Sequence, residues 1–381
     1  MGAEQTRAGR HPIGAPLDND WLDNTHPALR RCWHPVALSS EVTELPRRLW
    51  LVGEPLVAVR LDGELAVFAD RCPHRLAPLS AGTVVDGELE CAYHGWRFEA
   101  GGACTSIPSA GSRSAVPPKA RAERPWGVTE RDGLVFVALD EPIIGLPEVE
   151  LGPDGPAEEV RMVIMGPYEG RYGAGQLIDN QIDVSHFAFL HRRTFGSDEG
   201  ARPAPYEVER QPWGFSVDMD IPIHAANDPA VALGLRPLDQ YRHMSYRYRA
   251  PFHLVLRLGY PVMGGTNTIT FWVQPQSAGS ARMYVSLRMW QPGGFTDAEL
   301  AERLAFEERV VTEDLVFQAS FDHQALPLDV TEECHVKSDR ASLEYRRQLR
   351  SLVAEYEGAA SIAVLPQRGD QPAVSEVAEL R

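Results

Sequence analysis

The sequence predicts an α+β chain of two domains, an N-terminal all-β domain followed by a larger domain in which helices flank an antiparallel sheet. Three observations carry this. Short strand-like runs separated by tight turns fill Trp33 to Leu139. A Pro/Gly/acidic stretch, LPEVELGPDGPAEE (146–159), interrupts the pattern. Beyond it, longer strand-like runs stand among segments of helical periodicity. At 381 residues the chain is too long for one ordinary domain and comfortable for two.

Residues 1–28 are polar, rich in Gly, Pro and Asn, and read as an arm. The first domain spans 29–145. In it LVAVRL, Asp62-Gly63 and ELAVFAD form one hairpin. Thr83 to Val85, Asp86-Gly87 and Glu88 to Cys91 form another, and LVFVAL (134–139) closes the section. A linker is expected over 146–165 and the second domain over 166–381. There QLIDNQIDVSHFAFLH (176–191) reads as helix, and HLVLRLGYPV, TITFWVQP and ARMYVSLRMW read as strands. TDAELAERLAFEERVVTEDLVFQASF has helical periodicity and opens on a capping box, Thr296 with Glu299.

Composition narrows the function. Hydrophobic residues make up 44% and charged residues 24%, the balance of a globular protein. With 37 Lys and Arg against 53 Asp and Glu the net charge is −16, which disfavours nucleic acid or an anionic membrane as partner. No apolar run approaches a membrane span, and the N-terminus has no apolar signal core, so a cytoplasmic protein is expected. Five cysteines, an odd and sparse set, argue against a disulfide framework and leave thiols available as metal ligands. Cys32, Cys104 and Cys334 read as small buried hydrophobes.

The other two cysteines stand in CPHRLAPLSAGTVVDGELECAYHGW (72–96), as Cys72-x-His74 and Cys91-x-x-His94. A zinc finger usually runs Cys, Cys, His, His, with the histidines on a helix. Here each loop follows a hairpin and offers one thiolate and one imidazole. That suits a two-iron cluster in which one iron takes both thiolates and the other both imidazoles. CPHRLAPLSAG followed by CAYHGW resembles the Rieske [2Fe-2S] motif in the oxygenase components of Rieske non-haem iron oxygenases. The wording is nearest to the vanillate O-demethylase and dicamba monooxygenase-like branch. Many relatives carry Gly where Leu76 stands and Pro where Ala92 stands; neither position is a ligand.

The second domain holds Asn180, Asp183, His186 and His191 in one stretch. On a regular helix His186 and His191 would point about 140° apart, so an irregularity is expected near Phe189 or Leu190. Asp183 and His186 would share a face. Two imidazoles and a carboxylate form the facial triad of non-haem Fe(II) oxygenases. The spacing D-x-x-H-x-x-x-x-H matches the family's two histidine ligands at His186 and His191. The resemblance puts the third ligand on a downstream helix, where Asp314 is the candidate and Glu313, about 100° away, the fallback. It gives Asp183 the task of bridging His186 to His94 of another chain, and places Asn180 near the iron, though Asn180 could equally cap or pack.

No G-x-G-x-x-G in a strand-to-helix setting is present, so NAD(P)H is expected to act only through a partner, by resemblance a separate reductase with or without a ferredoxin. Arg71, Arg75 and Arg97 flank the cluster ligands, either as ordinary or internally paired arginines or as a basic rim for an acidic donor. The family's head-to-tail geometry implies a cyclic homotrimer. The expected reaction is O₂-dependent hydroxylation, or oxidative demethylation, of a small organic substrate. A cis-diol-forming dioxygenase and a non-catalytic Rieske electron carrier are the alternatives. Strands at 252–263 and 268–274 are expected to line the pocket; Tyr260, Phe271 and Trp272 are candidates, but aromatic residues on strands are more often core than pocket, and none is assigned.

Overall fold

The structure is a computed structural model; it describes residues 20–111, 116–148, 155–196, 198–224, 231 and 233–364. Three small antiparallel sheets build the N-terminal part. One joins Arg47–Leu51, Glu54–Leu61 and Glu64–Ala69; another joins Gly127–Arg131, Leu134–Ala138 and His34–Leu38. The third is a four-stranded run from Thr83–Val85 to Cys104–Ser106. The expected Asp-Gly turns are present. Asp62 and Gly63 have φ of 49° and 82°, Asp86 and Gly87 52° and 75°, the left-handed pair that matches the twist of a two-residue hairpin. Asp132-Gly133 makes a third such turn.

The second part is built on a seven-stranded antiparallel sheet. Its spatial order is Arg161–Gly170, Ser280–Trp290, Thr266–Ser277, His253–Gly259, Asp239–Arg249, Gly214–His224 and Glu209–Gln211. Helices Ala174–Ile182, Asp297–Gln318 and Arg340–Val364 flank it. The capping box at Thr296 forms as expected: its hydroxyl accepts from Glu299 N, and Glu299 Oε2 accepts from Thr296 N at 2.8 Å. Among the described residues no helix is long and apolar enough to cross a membrane.

Several expectations need correcting. Residues 1–19 of the expected arm, 149–154 of the linker and 365–381 of the second domain lie outside the described residues. The rest of the arm is docked: Trp21-Leu22 pairs with Leu326–Pro327, and buried Asn24 accepts from Ala174 N and donates to Tyr172 O. The first sheet strand begins at Arg161, inside the expected linker, because its pairing with Ser280–Trp290 starts at Arg161 opposite Met289. Cys32 and Cys104 are buried, whereas Cys334 is exposed.

The large sheet and the two cysteine loops rest on separate cores. The larger core runs through both parts of the chain, packing Val36, Leu51 and Val135 with Tyr248, Phe271 and Val285. Backbone bonds from Val52 N to Pro275 O and Gly53 N to Gln276 O, both 2.8 Å, tie the same surfaces. The smaller core holds Phe68, Leu79, Leu89 and Phe98 around Cys72 and Cys91.

Candidate active site: two metal centres

The two cysteine loops are built alike. Cys72 N donates to Ala77 O and Leu76 N to Cys72 O; Cys91 N donates to Trp96 O and Gly95 N to Cys91 O, all at 2.8–2.9 Å. Each loop therefore turns tightly, and the fifth residue of each takes positive φ: 58° at Leu76, 69° at Gly95. Both thiols are buried, and the imidazoles of His74 and His94 lie outward with ring centroids 4.5 Å apart. His74 stacks on Trp96 at 4.6 Å, and its Nδ1 is buried with no partner among the described residues. Burial pushes the Cys72 thiol up to about 11, with the Cys91 thiol beside it adding to the shift. Protonated thiols are poor residents of such a site, and bound metal removes the protons. Two inward sulfurs and two outward nitrogens, one of them orphaned, fit a Rieske cluster.

Leu76 is strained without being packed: it is 71% exposed. Replacement by Gly removes about 1–2 kcal/mol of left-handed strain and adds about 0.5–1 kcal/mol of chain entropy to the unfolded state. Leu76→Gly is expected to stabilise the cluster-loaded protein by up to about 1.5 kcal/mol. A lower denaturation midpoint in guanidinium would show that Leu76 packs on something outside this chain.

The arginines beside these loops are mostly paired within the chain. Arg97 donates to Glu90 at 2.8 Å and to Asp86 at 3.0 Å, and Arg71 pairs with Glu123. The internally paired reading therefore holds for Arg71 and Arg97.

In the larger domain, the stretch 176–191 is not one helix. Helix 174–182 ends at Asp183, whose backbone is extended, and one helical turn, Phe187–Leu190, follows. An irregularity falls at Leu190, as expected: the turn ends there and His191 leaves helical geometry at φ −95°, ψ 22°. A second break, at 183–185, was not expected; the Asp183 carboxylate accepts from Ser185 N (2.8 Å) and His186 N (3.1 Å) and so halts the first helix. Asp183 also meets His186 Nδ1 at 3.3 Å, through this turn rather than a shared helix face. His186 and His191 cap the two ends of the short turn, which brings their rings within 5.1 Å.

Asp314 arrives from helix 297–318. Its Oδ1 lies 3.2 Å from His191 Nε2 and 3.6 Å from His186 Nε2. One ligand atom from each of the three lies within 4.8 Å of the others, the spacing and donor set of a facial-triad iron site. Burial alone would raise the Asp314 carboxyl, but His191 and Asn180 hold it below the usual carboxylate range. Burial would likewise lower His191, and the Asp314 and Glu313 carboxylates raise it instead.

Glu313, the fallback ligand, turns away from the centre. It accepts from His191 Nδ1 at 2.8 Å and from Thr194 Oγ1 at 2.9 Å. Asn180 is placed by the structure against the carboxylate: its Nδ2 donates to Asp314 Oδ1 at 2.9 Å, and Gln181 Nε2 donates to Oδ2 at 3.2 Å. Gln318 in turn donates to Asn180 Oδ1. Glu313, Thr194, Gln181 and Gln318 were not singled out as supports in sequence. Only Glu313 had a signal, its place beside Asp314. Because carboxylates behind ligating imidazoles fix the tautomer and ring direction, Glu313→Gln is expected to weaken mononuclear iron binding about 10–100-fold. Iron titration into metal-stripped protein measures this; unchanged affinity would remove Glu313 from the site's support.

The triad lines a cavity of about 160 Å³. Its walls are apolar, with Phe187, Leu256, Leu258, Phe271 and Val311 among them. Of the three aromatic candidates, Tyr260 and Phe271 line it. Trp272, next along the strand, points to the opposite face, where it meets Phe136 at 4.9 Å and His253 at 3.6 Å. On the other side of the triad, His186 also borders a surface hollow lined by Asp183, Ser185 and Cys334.

Comparison with known proteins agrees with this geometry. Residues 32–118 match the Rieske [2Fe-2S] domain family, and residues 173–355 match the vanillate O-demethylase oxygenase C-terminal domain family. Methylxanthine N1-demethylase NdmA of Pseudomonas putida is 29% identical over 331 residues, 85% of this chain and 89% of that protein. The structure of Pseudomonas putida CBB5 NdmA with caffeine superposes with a TM-score of 0.73 at 27% identity, covering 93% of this chain and all of that one. The oxygenase component of dicamba O-demethylase from Stenotrophomonas maltophilia is 32% identical over 178 residues, 45% of this chain and 50% of its own. The chain belongs to the Rieske non-haem iron oxygenases, as a terminal oxygenase component. Within them it is related to the vanillate and dicamba monooxygenase branch.

Proposed function

We propose that this oxygenase inserts one oxygen atom into a C–H bond of a small organic substrate, and that oxidative removal of an O- or N-methyl group is its characteristic outcome. The observation that carries this is the placement of His186, His191 and Asp314, their ligand atoms within 4.8 Å of one another, in the wall of an apolar cavity. The relatives named as methylxanthine and dicamba demethylases support the demethylation reading. In this reading Cys72, His74, Cys91 and His94 hold the [2Fe-2S] cluster, and His186, His191 and Asp314 hold ferrous iron. When bound, the iron supplies O₂ activation and the cluster supplies electrons one at a time.

The protein's own groups do the rest. Glu313 and Asp183 hold the outer ring nitrogens of His191 and His186, leaving both Nε2 atoms directed at Asp314. Asn180 and Gln181 fix the carboxylate's orientation. The phenylalanine and aliphatic walls exclude water from the reacting carbon. Asp183 and Asn180 thus act as positioning residues.

Asp183 opens onto the surface hollow, and the cluster imidazoles lie outward on their own domain. These two facts support a head-to-tail homotrimer in which Asp183 meets His94 of the partner subunit. Electrons originate from NAD(P)H through a separate reductase, with or without a ferredoxin.

The test is electron paramagnetic resonance on anaerobic protein reduced with dithionite, with and without nitric oxide, followed by turnover under ¹⁸O₂. A rhombic Rieske signal, a high-spin iron–nitrosyl signal and one labelled oxygen in the oxidised product, counting formaldehyde where a methyl group is lost, are expected. Two labelled atoms in a cis-diol would replace the monooxygenase reading by a dioxygenase. A Rieske signal with no nitrosyl species after iron reconstitution would leave an electron carrier.

A further inference from the structure

The apolar cavity has a charged stretch of wall. Arg242, Arg303 and Glu307 line it together with the triad. Their placement follows from secondary structure. Arg303, Glu307 and Asp314 are spaced by four and seven residues on helix 297–318, so they share a face. Seven residues of helix separate Glu307 from Asp314 by about 10 Å. Arg242 lies on strand Asp239–Arg249 in the same alternation as buried Met244, Tyr246 and Tyr248, and so occupies a core-facing position at the end of the strand.

An arginine on an inward face of a sheet needs a partner. Arg242 Nε is buried with no hydrogen-bond partner among the described residues, while its guanidinium sits 5.7 Å from the Phe195 ring. Glu307, 7% exposed, is already bonded: its Oε1 accepts from Asn267 Nδ2 at 3.0 Å. Burial raises the Glu307 carboxyl, with Arg303, Asn267 and Arg242 opposing. The sign of the charge does not depend on its state. Two guanidiniums and an ionised carboxylate leave +1, and a protonated carboxyl leaves +2. This positive stretch stands in a chain of net charge −16, so it is no reflection of general basicity. Arg303 and Tyr260 also line an outer hollow of about 420 Å³, which holds Arg236 and Glu299 as well.

We propose that the substrate is an organic carboxylate, with its anionic group held by Arg242 and Arg303 and its apolar body reaching along the cavity to present the oxidised carbon to the triad. Ionised Glu307 offsets one guanidinium and matches the ligand to a single negative charge. A bidentate guanidinium–carboxylate contact supplies both energy and orientation. Arg242 and Arg303 are then specificity-determining residues of the cavity wall, Arg303 about three helical turns from Asp314 and Arg242 beside Phe195, which stacks on His191. A neutral heterocycle would leave the positive charge in an apolar wall uncompensated, which disfavours it. The inference rests on this cavity being the oxygenase's substrate site.

Binding tests it without turnover. Isothermal titration of the metal-loaded protein would use two matched pairs as probes: 4-methoxybenzoate and 4-methoxycinnamate, each against its carboxamide. At least one carboxylate is expected to bind about tenfold or more tightly than its carboxamide, the scale of a charge-assisted bond. It should also perturb the iron–nitrosyl signal, placing the ligand beside the triad. Arg242→Met should erase most of the preference and Arg242→Lys should retain part of it. Arg303→Met, at a half-buried position, should reduce it several-fold even where Arg242→Met does not fold. No carboxylate binding more tightly than its carboxamide would overturn the proposal, as would a preference that survives both methionine variants. Absence of the nitrosyl signal in the wild-type protein would instead overturn the oxygenase reading.

Discussion

Asp314→Ala is expected to empty the mononuclear site and abolish oxygenation while leaving the Rieske spectrum unchanged. The Asp314 carboxylate is the point at which both histidine Nε2 atoms converge, and it is buried. Its removal takes away a ligand and also leaves the Asn180 and Gln181 amides without their acceptor. Buried donors left unpaired cost about 1–3 kcal/mol each, so nothing in the variant site compensates. Turnover should fall at least 100-fold, past the range seen when only an outer support is lost. The cluster ligands sit in the separate core around Phe68 and Phe98, so the dithionite-reduced signal should keep its shape and intensity. Iron analysis with nitrosyl spectroscopy checks both halves. A variant that kept its nitrosyl signal would show that the third ligand is another carboxylate, whereas loss of both signals would mean that the substitution unfolds the chain.

Asp183→Asn tests transfer between the centres rather than their assembly. The Asp183 carboxylate holds Ser185 N, His186 N and His186 Nδ1, and borders the surface hollow. Burial would raise it, but the His186 and Ser185 bonds hold it below its usual value, so at neutral pH it is ionised. Asparagine keeps the turn, because its carbonyl can accept from Ser185 N, and removes the charge. Both metal signals should persist while turnover drops about 100-fold, with reoxidation of the reduced cluster by O₂ slowed to match. Stopped-flow absorbance of the cluster is the direct measurement. Unslowed reoxidation would place electron transfer on another route.

Both metal sites were readable as donor sets because their chemistry is local. Cys72, His74, Cys91 and His94 occupy two short loops, and the Asp-Gly hairpin turns mark where those loops fall. His186 and His191 were equally visible, and their five-residue spacing called for the break that the structure has at Leu190. The earlier break was not legible: the periodicity of 176–186 suits an unbroken helix, and the side-chain-to-backbone bonds of Asp183 divert it. Local propensity has no term for that competition.

The supports of the iron site were hidden for a different reason. Gln181, Glu313 and Gln318 are ordinary surface types in sequence, and they become ligand supports only because helix 174–182 packs against helix 297–318. Strands 214–224 and 239–249 were not singled out in sequence; arginines and tyrosines alternate along the second and blur its apolar face. Arg242 shows the same limit from the opposite side. As a letter it is one more charged residue on a strand; its inward register and its place beside Glu307 and Arg303 exist only once sheet and helix meet.

The sequence by itself determined the two-domain order, the ligand chemistry of both centres and the family, because these depend on residue types at short spacing. Tertiary structure set Asp314, the candidate the family resemblance had offered, at the triad and turned Glu313 away from it, and it alone decided what holds each ligand in place and where the cavity carries charge. Those depend on contacts between segments more than 100 residues apart, such as Asn180 with Asp314, and no local pattern encodes them.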